Sequence, residues 1–307
     1  MVEVTATLVK ELRDKSGAGM MDCKKALNET NGNLEEAIDW LRTKGLAAAA
    51  KKAGRTASEG LVSVVSIGNK GAILEVNSET DFVARNQEFQ SFVRNITDLA
   101  IVAKDIESLK STPYPDQDRS VEEQLTHLIA TIGENMSLRR MSVLSVKSGI
   151  IATYMHNAIS DGLGKIGVTV AIESAASVDD LGIIGKNLAM HIAAAAPQAL
   201  SRSDLKPEIV ERERQILSDQ AQESGKPEEI IEKMVEGRIR KYYEEVCLLD
   251  QTYVVDGERK IKHVLETFSE EIGSPLKIAA FERFSLGEGI EKEKEDYASE
   301  VASLAGT

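Results

Sequence analysis

Gly60-Leu61-Val62-Ser63-Val64-Val65-Ser66-Ile67-Gly68-Asn69-Lys70-Gly71-Ala72-Ile73-Leu74-Glu75-Val76-Asn77 holds two apolar, largely β-branched runs on either side of a glycine-bearing turn. Branched side chains suit a pleated surface, so residues 61–67 and 72–76 are read as strands. Gly68-Asn69-Lys70-Gly71 is the hairpin turn between them. The pattern returns later in the chain. Gly149-Ile150-Ile151 resembles Gly60-Leu61-Val62, and Gly167-Val168-Thr169-Val170-Ala171-Ile172-Glu173 resembles Gly71-Ala72-Ile73-Leu74-Glu75-Val76-Asn77. Each hairpin precedes a helix with an apolar face: Phe89, Phe92, Val93, Ile96, Leu99 and Ala100 after the first, Leu181, Ile184, Leu188 and Ile192 after the second. A strand–strand–helix unit that occurs twice predicts an α+β fold with two related subdomains side by side, whereas a solenoid needs more copies.

Ahead of the first strand the apolar period is helical. Thr5 is placed to cap a helix carrying Leu8, Val9 and Leu12, which Gly17 and Gly19 end. A second helix begins near Met21 and runs through Ala26 and Leu27 to Asn31-Gly32. A third starts at Asn33, with Glu36 completing a capping box and Leu34, Ala37, Ile38 and Leu41 as its apolar face. These helices imply a compact module with a small core. Residues 46–55 are rich in alanine and lysine, lack an apolar face, and are read as a partly helical linker. Further on, Pro113-Tyr114-Pro115-Asp116 breaks the chain, and Ser120 with Glu123 boxes the start of a helix whose Leu125, Leu128, Ile129 and Ile132 face inward. Pro207 and Pro227 open two helices joined by Ser224-Gly225-Lys226. Val210, Leu217 and Ala221 on one arm, and Ile231, Val235, Ile239, Tyr242 and Val246 on the other, fit an antiparallel helical hairpin. Residues 248–255 and 278–284 are read as strands returning to a sheet, and Tyr297, Val301 and Leu304 as one side of a last helix.

The 307 residues carry 37 Lys+Arg against 50 Asp+Glu, a formal net charge of −13, with 42% apolar and only 4% aromatic residues. This is an ordinary folded composition, long enough for two or three folding units. The acidity argues against free nucleic acid as the main ligand, because phosphate binding wants a basic surface. Cys23 and Cys247 are too far apart for a zinc knuckle and too few for a disulfide framework, so both are read as reduced. No stretch approaches the roughly 20 apolar residues of a membrane span. Met1-Val2-Glu3-Val4-Thr5 has neither a secretory signal nor a transit composition, so a reducing cytoplasm is expected.

Signs of bond-making chemistry are few. Gly162-Leu163-Gly164-Lys165-Ile166-Gly167 fits a dinucleotide fingerprint, but it precedes a strand instead of opening a helix, so it is read as a flexible hairpin loop. His127, His156, His191 and His263 include no pair at helical metal spacing. His127 and His191 both sit beside apolar stripes, where packing is the default. No pair of carboxylates stands in an apolar setting that splits acid from base. No cofactor is expected, and the weight falls on interaction. Thr80-Asp81-Phe82-Val83 lies between a strand end and a helix start. Either Asp81 caps the helix and Phe82 is core, or the pair is an exposed wedge. Met20-Met21 beside a glycine turn is open in the same way, as a core plug or a flexible thioether contact.

Taken together, several segments resemble the elongation factor Ts family of guanine-nucleotide exchange factors. They are Leu12-Arg13 with Ser16-Gly17-Ala18-Gly19-Met20-Met21-Asp22-Cys23-Lys24-Lys25-Ala26-Leu27; Glu79-Thr80-Asp81-Phe82-Val83-Ala84-Arg85-Asn86; Ile132-Gly133-Glu134-Asn135; Met190-His191-Ile192-Ala193-Ala194; Ser224-Gly225-Lys226-Pro227 with Glu232-Lys233-Met234-Val235-Glu236-Gly237-Arg238; and Gly287-Glu288-Gly289-Ile290-Glu291-Lys292. The resemblance covers the whole chain. It implies a ubiquitin-associated-like module and linker at 1–55, a core N-subdomain at 56–147, and a core C-subdomain at 148–204 and 247–284. A coiled-coil hairpin at 205–246 interrupts the second, and a helical module follows at 285–307. The implied partner is elongation factor Tu, GDP-bound and nucleotide-free, with Asp81-Phe82 intruding near its magnesium site, flanked by Thr80 and Val83. Met20, Met21, Ile132, Gly133 and His156 match further partner contacts. The hairpin is either a partner contact or a homodimer contact. Two segments depart from the family pattern. The loop from Tyr154-Met155-His156 to Lys165-Ile166-Gly167 is longer, with Lys165 in place of an arginine, and Gln251-Thr252-Tyr253 lacks a proline. The rival reading is a helix-binding adaptor on a scaffold core.

Overall fold

A computed structural model describes residues 4–16, 18–223 and 225–291. Gly17, Ser224 and the expected last helix on Tyr297, Val301 and Leu304 lie outside the described residues. Thr5 opens α1 (Ala6–Ser16), its Oγ1 accepting from Leu8 N–H at 3.3 Å. α2 (Met20–Glu29) follows, and Asn33 caps α3 (Leu34–Lys52) by accepting from the N–H groups of Glu35 and Glu36. The expected box is altered. Asn33 N–H already donates to Thr30 O at 3.1 Å, so the Glu36 carboxylate takes the Asn33 side-chain amide at 2.8 Å. Val9, Leu12, Cys23, Ala26, Leu27 and Ala37 form the small core of this unit.

The opening hairpin is β1 (Glu59–Ile67) and β2 (Lys70–Ser78), turned at Gly68 with φ 60°. It leads through α4 (Gln87–Ala100), α5 (Ile106–Ser111) and α6 (Val121–Ile132) to β3 (Met136–Ser145). Ser120 and Glu123 make the expected box on α6. The second unit is β4 (Gly149–His156), β5 (Leu163–Gly164) and β6 (Ile166–Ser174), then α7 (Val178–Ala195). The helical pair α8 (Pro207–Gln222) and α9 (Glu228–Val246) comes next, then α10 (Ile261–Glu271) and β7 (Leu276–Ser285). The sheets run β3-β2-β1-β5 and β4-β6-β7, with every ladder antiparallel.

The duplication extends to backbone detail. Gly60 and Gly149 sit at φ 121° and 124°, and a Cβ on either would collide with the carbonyl oxygen of Val76 or Ile172 across the ladder. The β2–β3 ladder slips one residue between Glu75 and Val76, and the β6–β7 ladder slips between Ala171 and Ile172, at matching positions of the repeat. Leu61, Leu74 and Val76 face α4 and α6, while Val62, Val64 and Ile73 face the other sheet and pack on Phe284 and Met155. In the second sheet Val168, Val170 and Ile172 face α7, and Ala171 meets Val146 and Ile151 between the sheets. The layers are helix, sheet, sheet, helix. Burial of both faces explains why the strands read as nearly continuous apolar runs.

Three readings change. Residues 46–52 are helical, in keeping with the partly helical reading, but they continue α3 and lie along α6 instead of forming a free linker. Small side chains allow the approach: Ala49 packs on the first core, a Cβ at Gly45 would stand 3.4 Å from Ala130 Cβ, and Lys52 Nζ donates to Ile129 O at 3.3 Å. The expected strand at 248–255 is a 3-10 turn (Leu248–Asp250) and loop: the N–H groups of Leu248 and Leu249 donate to Ala199 O and Leu200 O in the segment after α7, those of Asp250 and Gln251 bond locally, and that of Val254 goes to His191 on α7. The glycine-rich loop at 162–167 is not free. Ser63 and Val62 of β1 pair with Leu163 and Gly164, and Leu163 is fully buried in the first core. A Cβ at Gly167 would stand 2.7 Å from Val62, so the glycines serve close sheet packing and face no helix N-terminus.

Candidate partner-binding site

Phe82 is the most exposed aromatic residue that the sequence reading singled out, with 77% of its surface open. β2 ends at Ser78, and the chain turns through Thr80-Asp81-Phe82 into a single 3-10 turn, Val83–Arg85. Val83 and Ala84 are buried in the first core, which anchors the far side of the turn and leaves Asp81 and Phe82 outside. The core reading of Phe82 therefore falls. So does the capping role of Asp81: Asn86 caps α4, its Oδ1 accepting from Phe89 N–H at 3.1 Å.

Two carboxylates brace this turn against the one after α6. Glu134 accepts from Thr80 N–H at 2.9 Å and from Thr80 Oγ1 at 2.6 Å. Glu79 accepts from Asn135 N–H at 2.5 Å, and Asn135 donates its side-chain amide to Arg55 O at 2.7 Å. Each turn thus lends a carboxylate to the backbone of the other. The brace brings Ile132 and Gly133 beside the Phe82 turn. Gly133 ends α6 in the left-handed region at φ 92° and is exposed, whereas Ile132 packs partly into the first core.

Among the described residues His156 makes no contact with this brace; the loop after it approaches the Phe82 turn from the other side. The histidine ends β4, is exposed, and lies 3.3 Å from Tyr154 Oη through Nδ1. The longer loop that follows reaches α4: Arg94 donates to Ser160 Oγ at 2.6 Å, Ser160 donates to Gln90 Oε1 at 3.3 Å, and Gln90 donates to Ala84 O at 2.8 Å. Met20 and Met21 stand elsewhere, at the start of α2, with 48% and 77% of their surfaces exposed. The core-plug reading falls for both. Their unit connects to the brace through α3, whose following turn ends at Arg55. Glu134, Gln90 and Ser160 received no role from sequence. The available signal was position, Glu134 being next to Gly133 in a quoted motif.

His191 is no part of this surface. It is fully buried, its Nε2 lies 2.9 Å from Gln251 Oε1, and its Nδ1 accepts from Val254 N–H at 3.2 Å. Gln251 donates its amide to Glu245 O and Ala195 O, which orients its oxygen toward the ring. The partners assign a neutral imidazole with its proton on Nε2. Burial pushes this histidine below its ordinary value, against the smaller opposing effect of Gln251; burial and Arg119 push His127 the same way. A depressed histidine contributes stability that is complete above its unfolded value, about 6.5, and falls as pH drops from there toward the folded value. Urea midpoints should therefore decline from pH 7.5 to 5. His191→Gln should flatten that decline by up to about 1.4 kcal/mol per pH unit. An unchanged slope in the variant would remove His191 as the sensor.

Among the described residues no helix is long and apolar enough to cross a membrane, and no cluster of three metal-binding side chains occurs. Cys23 and Cys247 are free and buried, and burial pushes the Cys247 thiol up to about 11. The family model described as Elongation factor TS matches residues 79–288, which include Glu79, Glu134, the helices α8 and α9, and β7. Over 307 residues the chain is 60% identical to the elongation factor Ts of Rhodospirillum centenum, with all of both chains covered. It is 60% identical over 308 residues to that of Paramagnetospirillum magneticum, covering 100% of this chain and 99% of the relative. It is 56% identical to that of Gluconobacter oxydans, with full coverage of each.

Proposed function

The chain belongs to the elongation factor Ts family, and from that premise we propose that it acts as a guanine-nucleotide exchange factor for elongation factor Tu in the cytoplasm. The observation that carries the reading is the Asp81-Phe82 turn, an aromatic and an acid held outside the core on a braced scaffold. Phe82 enters an apolar crevice that opens only when a helix of the GTPase has shifted. Asp81 disturbs the water and charge around its magnesium ion. Ile132, Gly133 and His156 extend the contact around the wedge, and Met20 and Met21 add a second foothold from the helical unit. No bond is made or broken by this chain. It favours the loosened state of its partner, and GTP binding then displaces it.

The division into a module at 1–55, a duplicated core and a hairpin at 205–246 belongs to the same reading. The hairpin's contact is with elongation factor Tu or with a second copy of the chain. A stopped-flow experiment tests the function. The full chain, mixed with elongation factor Tu carrying fluorescent GDP, should accelerate loss of the label with a rate that saturates. No acceleration, with binding still measurable by calorimetry, would favour the adaptor reading over exchange.

A further inference from the structure

An exposed aromatic on a short turn has a conformational problem. Nothing in the core holds the Phe82 ring; Val83 and Ala84 anchor the chain after it and its carbonyl accepts from Arg85 N–H at 3.1 Å, so its aim depends further on how firmly Thr80 and Asp81 are fixed. Fixing them on docking would cost backbone and side-chain entropy in the complex. On the near side of the ring the fixing already exists in the free chain, and for the N–H and hydroxyl of Thr80 it comes from one side chain. Both oxygens of Glu134 are committed to Thr80, one to its N–H and one to its hydroxyl, while Ser78 Oγ donates to Thr80 O at 2.9 Å. A carboxylate suits this pattern because it offers two acceptor oxygens and no donor.

We propose that Glu134 is the positioning residue of the Phe82 turn, presetting the wedge in the geometry that its partner receives. A purely structural role for Glu134 is already filled by other groups. α6 is ended by Gly133, whose N–H donates to Ile129 O at 3.2 Å, and the turn after it is held independently by Glu79 on Asn135 N–H. The two carboxylates are crossed but not equivalent. Glu79 holds Asn135 in the turn after α6, whereas Glu134 holds Thr80, two residues before Phe82.

The proposal rests on the exchange reading, and its test has one readout that needs no partner. In the first, elongation factor Tu with fluorescent GDP is mixed with increasing full-length chain. Glu134→Ala should lower the saturating release rate about tenfold or more, while the half-saturating concentration moves less than about threefold, since other contacts keep affinity. Glu134→Gln should restore most of the rate, because its amide oxygen accepts from Thr80 N–H and its amide N–H donates to Thr80 Oγ1. A lost helix cap or a softened core would not be rescued this way. In the second, Phe82→Trp is placed in a Trp40→Phe background, which leaves one indole. Time-resolved anisotropy should show it moving with the whole chain, and moving faster locally once Glu134→Ala is added. A wild-type saturating rate in Glu134→Ala overturns the proposal, as does unchanged local motion. If the unaltered chain fails to speed release, the exchange reading falls, and the anisotropy comparison alone decides the brace.

Discussion

Glu75→Ala is expected to cost about 3 kcal/mol of folding stability, at the lower end of what removing one partner from a buried ion cluster does. The side chain is fully buried on the sheet-to-sheet face of β2. Three donors converge on its Oε1: Gly287 N–H at 2.8 Å, Arg139 at 2.9 Å and the Asn77 amide at 3.0 Å. Arg140 Nε donates to Oε2 at 2.6 Å. Alanine would leave one N–H of the Asn77 amide without its acceptor, the other still donating to Glu59 O at 3.2 Å, while Arg139 and Arg140, at 26% and 30% exposure, retain access to water, which is why the upper end is not expected. Glu75→Gln should fall between, keeping an acceptor for the three donors but setting an amide N–H against Arg140. Burial alone would raise this carboxyl's pKa; the Gly287 N–H, Asn77 and the two arginines outweigh it and hold it low. A depressed acid contributes stability that is complete above its unfolded value, about 4.3, and is lost as pH falls through the folded value. Urea unfolding of the three chains at pH 7 and pH 4 reads both effects. Equal midpoints for Glu75→Ala and the unaltered chain at pH 7 would show that the cluster adds no net stability.

Glu75 also explains where the sequence was readable and where it was not. The repeated hairpin was legible because Gly60 and Gly149 need the same left-handed backbone and the strands around them are apolar on both faces. β3 was invisible to the same pattern. Its Leu138-Arg139-Arg140-Met141 breaks apolar alternation, yet both arginines belong there. The ladder slip opposite Glu75 sets two residues against one, so Arg139 and Arg140 both reach the same buried acid. The second copy keeps the slip with Ala171 opposite Ala279 and Ala280, without charge. α10 lacked a signal of another kind: Lys260 offers no capping hydrogen bond, though Ile261, Val264, Leu265 and Phe268 have helical spacing. The alanine-rich end of α3 failed a test for an apolar stripe because its packing against α6 relies on small size. At the site, the residues of the Phe82 turn were legible as a motif, but whether the ring points in or out was not. That depends on Val83 and Ala84 taking the core positions, and on a carboxylate fifty-four residues away.

Phe82→Ala is expected to slow stimulated GDP release about thirtyfold, the equivalent of a 2 kcal/mol interface hot spot. Its folding stability should stay within about 0.5 kcal/mol of the unaltered chain, because a ring with 77% of its surface open contributes little to the core. That contrast separates the wedge from Glu75, where stability moves first. A loss of rate alone would not prove the mechanism, since any weakened contact slows exchange. The sharper expectation comes from linkage. A ligand that binds the GDP-bound and nucleotide-free partner equally shifts nothing between them, however tightly it binds. If Phe82 fills a crevice that exists only after the helix shift, Phe82→Ala must lose affinity for the empty partner and keep most of its affinity for the GDP-bound one. By the same cycle, the variant must weaken GDP in the ternary complex less than the unaltered chain does, by a matching factor. Met21→Ala, at a foothold indifferent to nucleotide, should weaken both complexes equally and leave that coupling unchanged. Equal losses for the two states in Phe82→Ala would make Phe82 an ordinary anchor and move the source of exchange to Asp81 or to another contact.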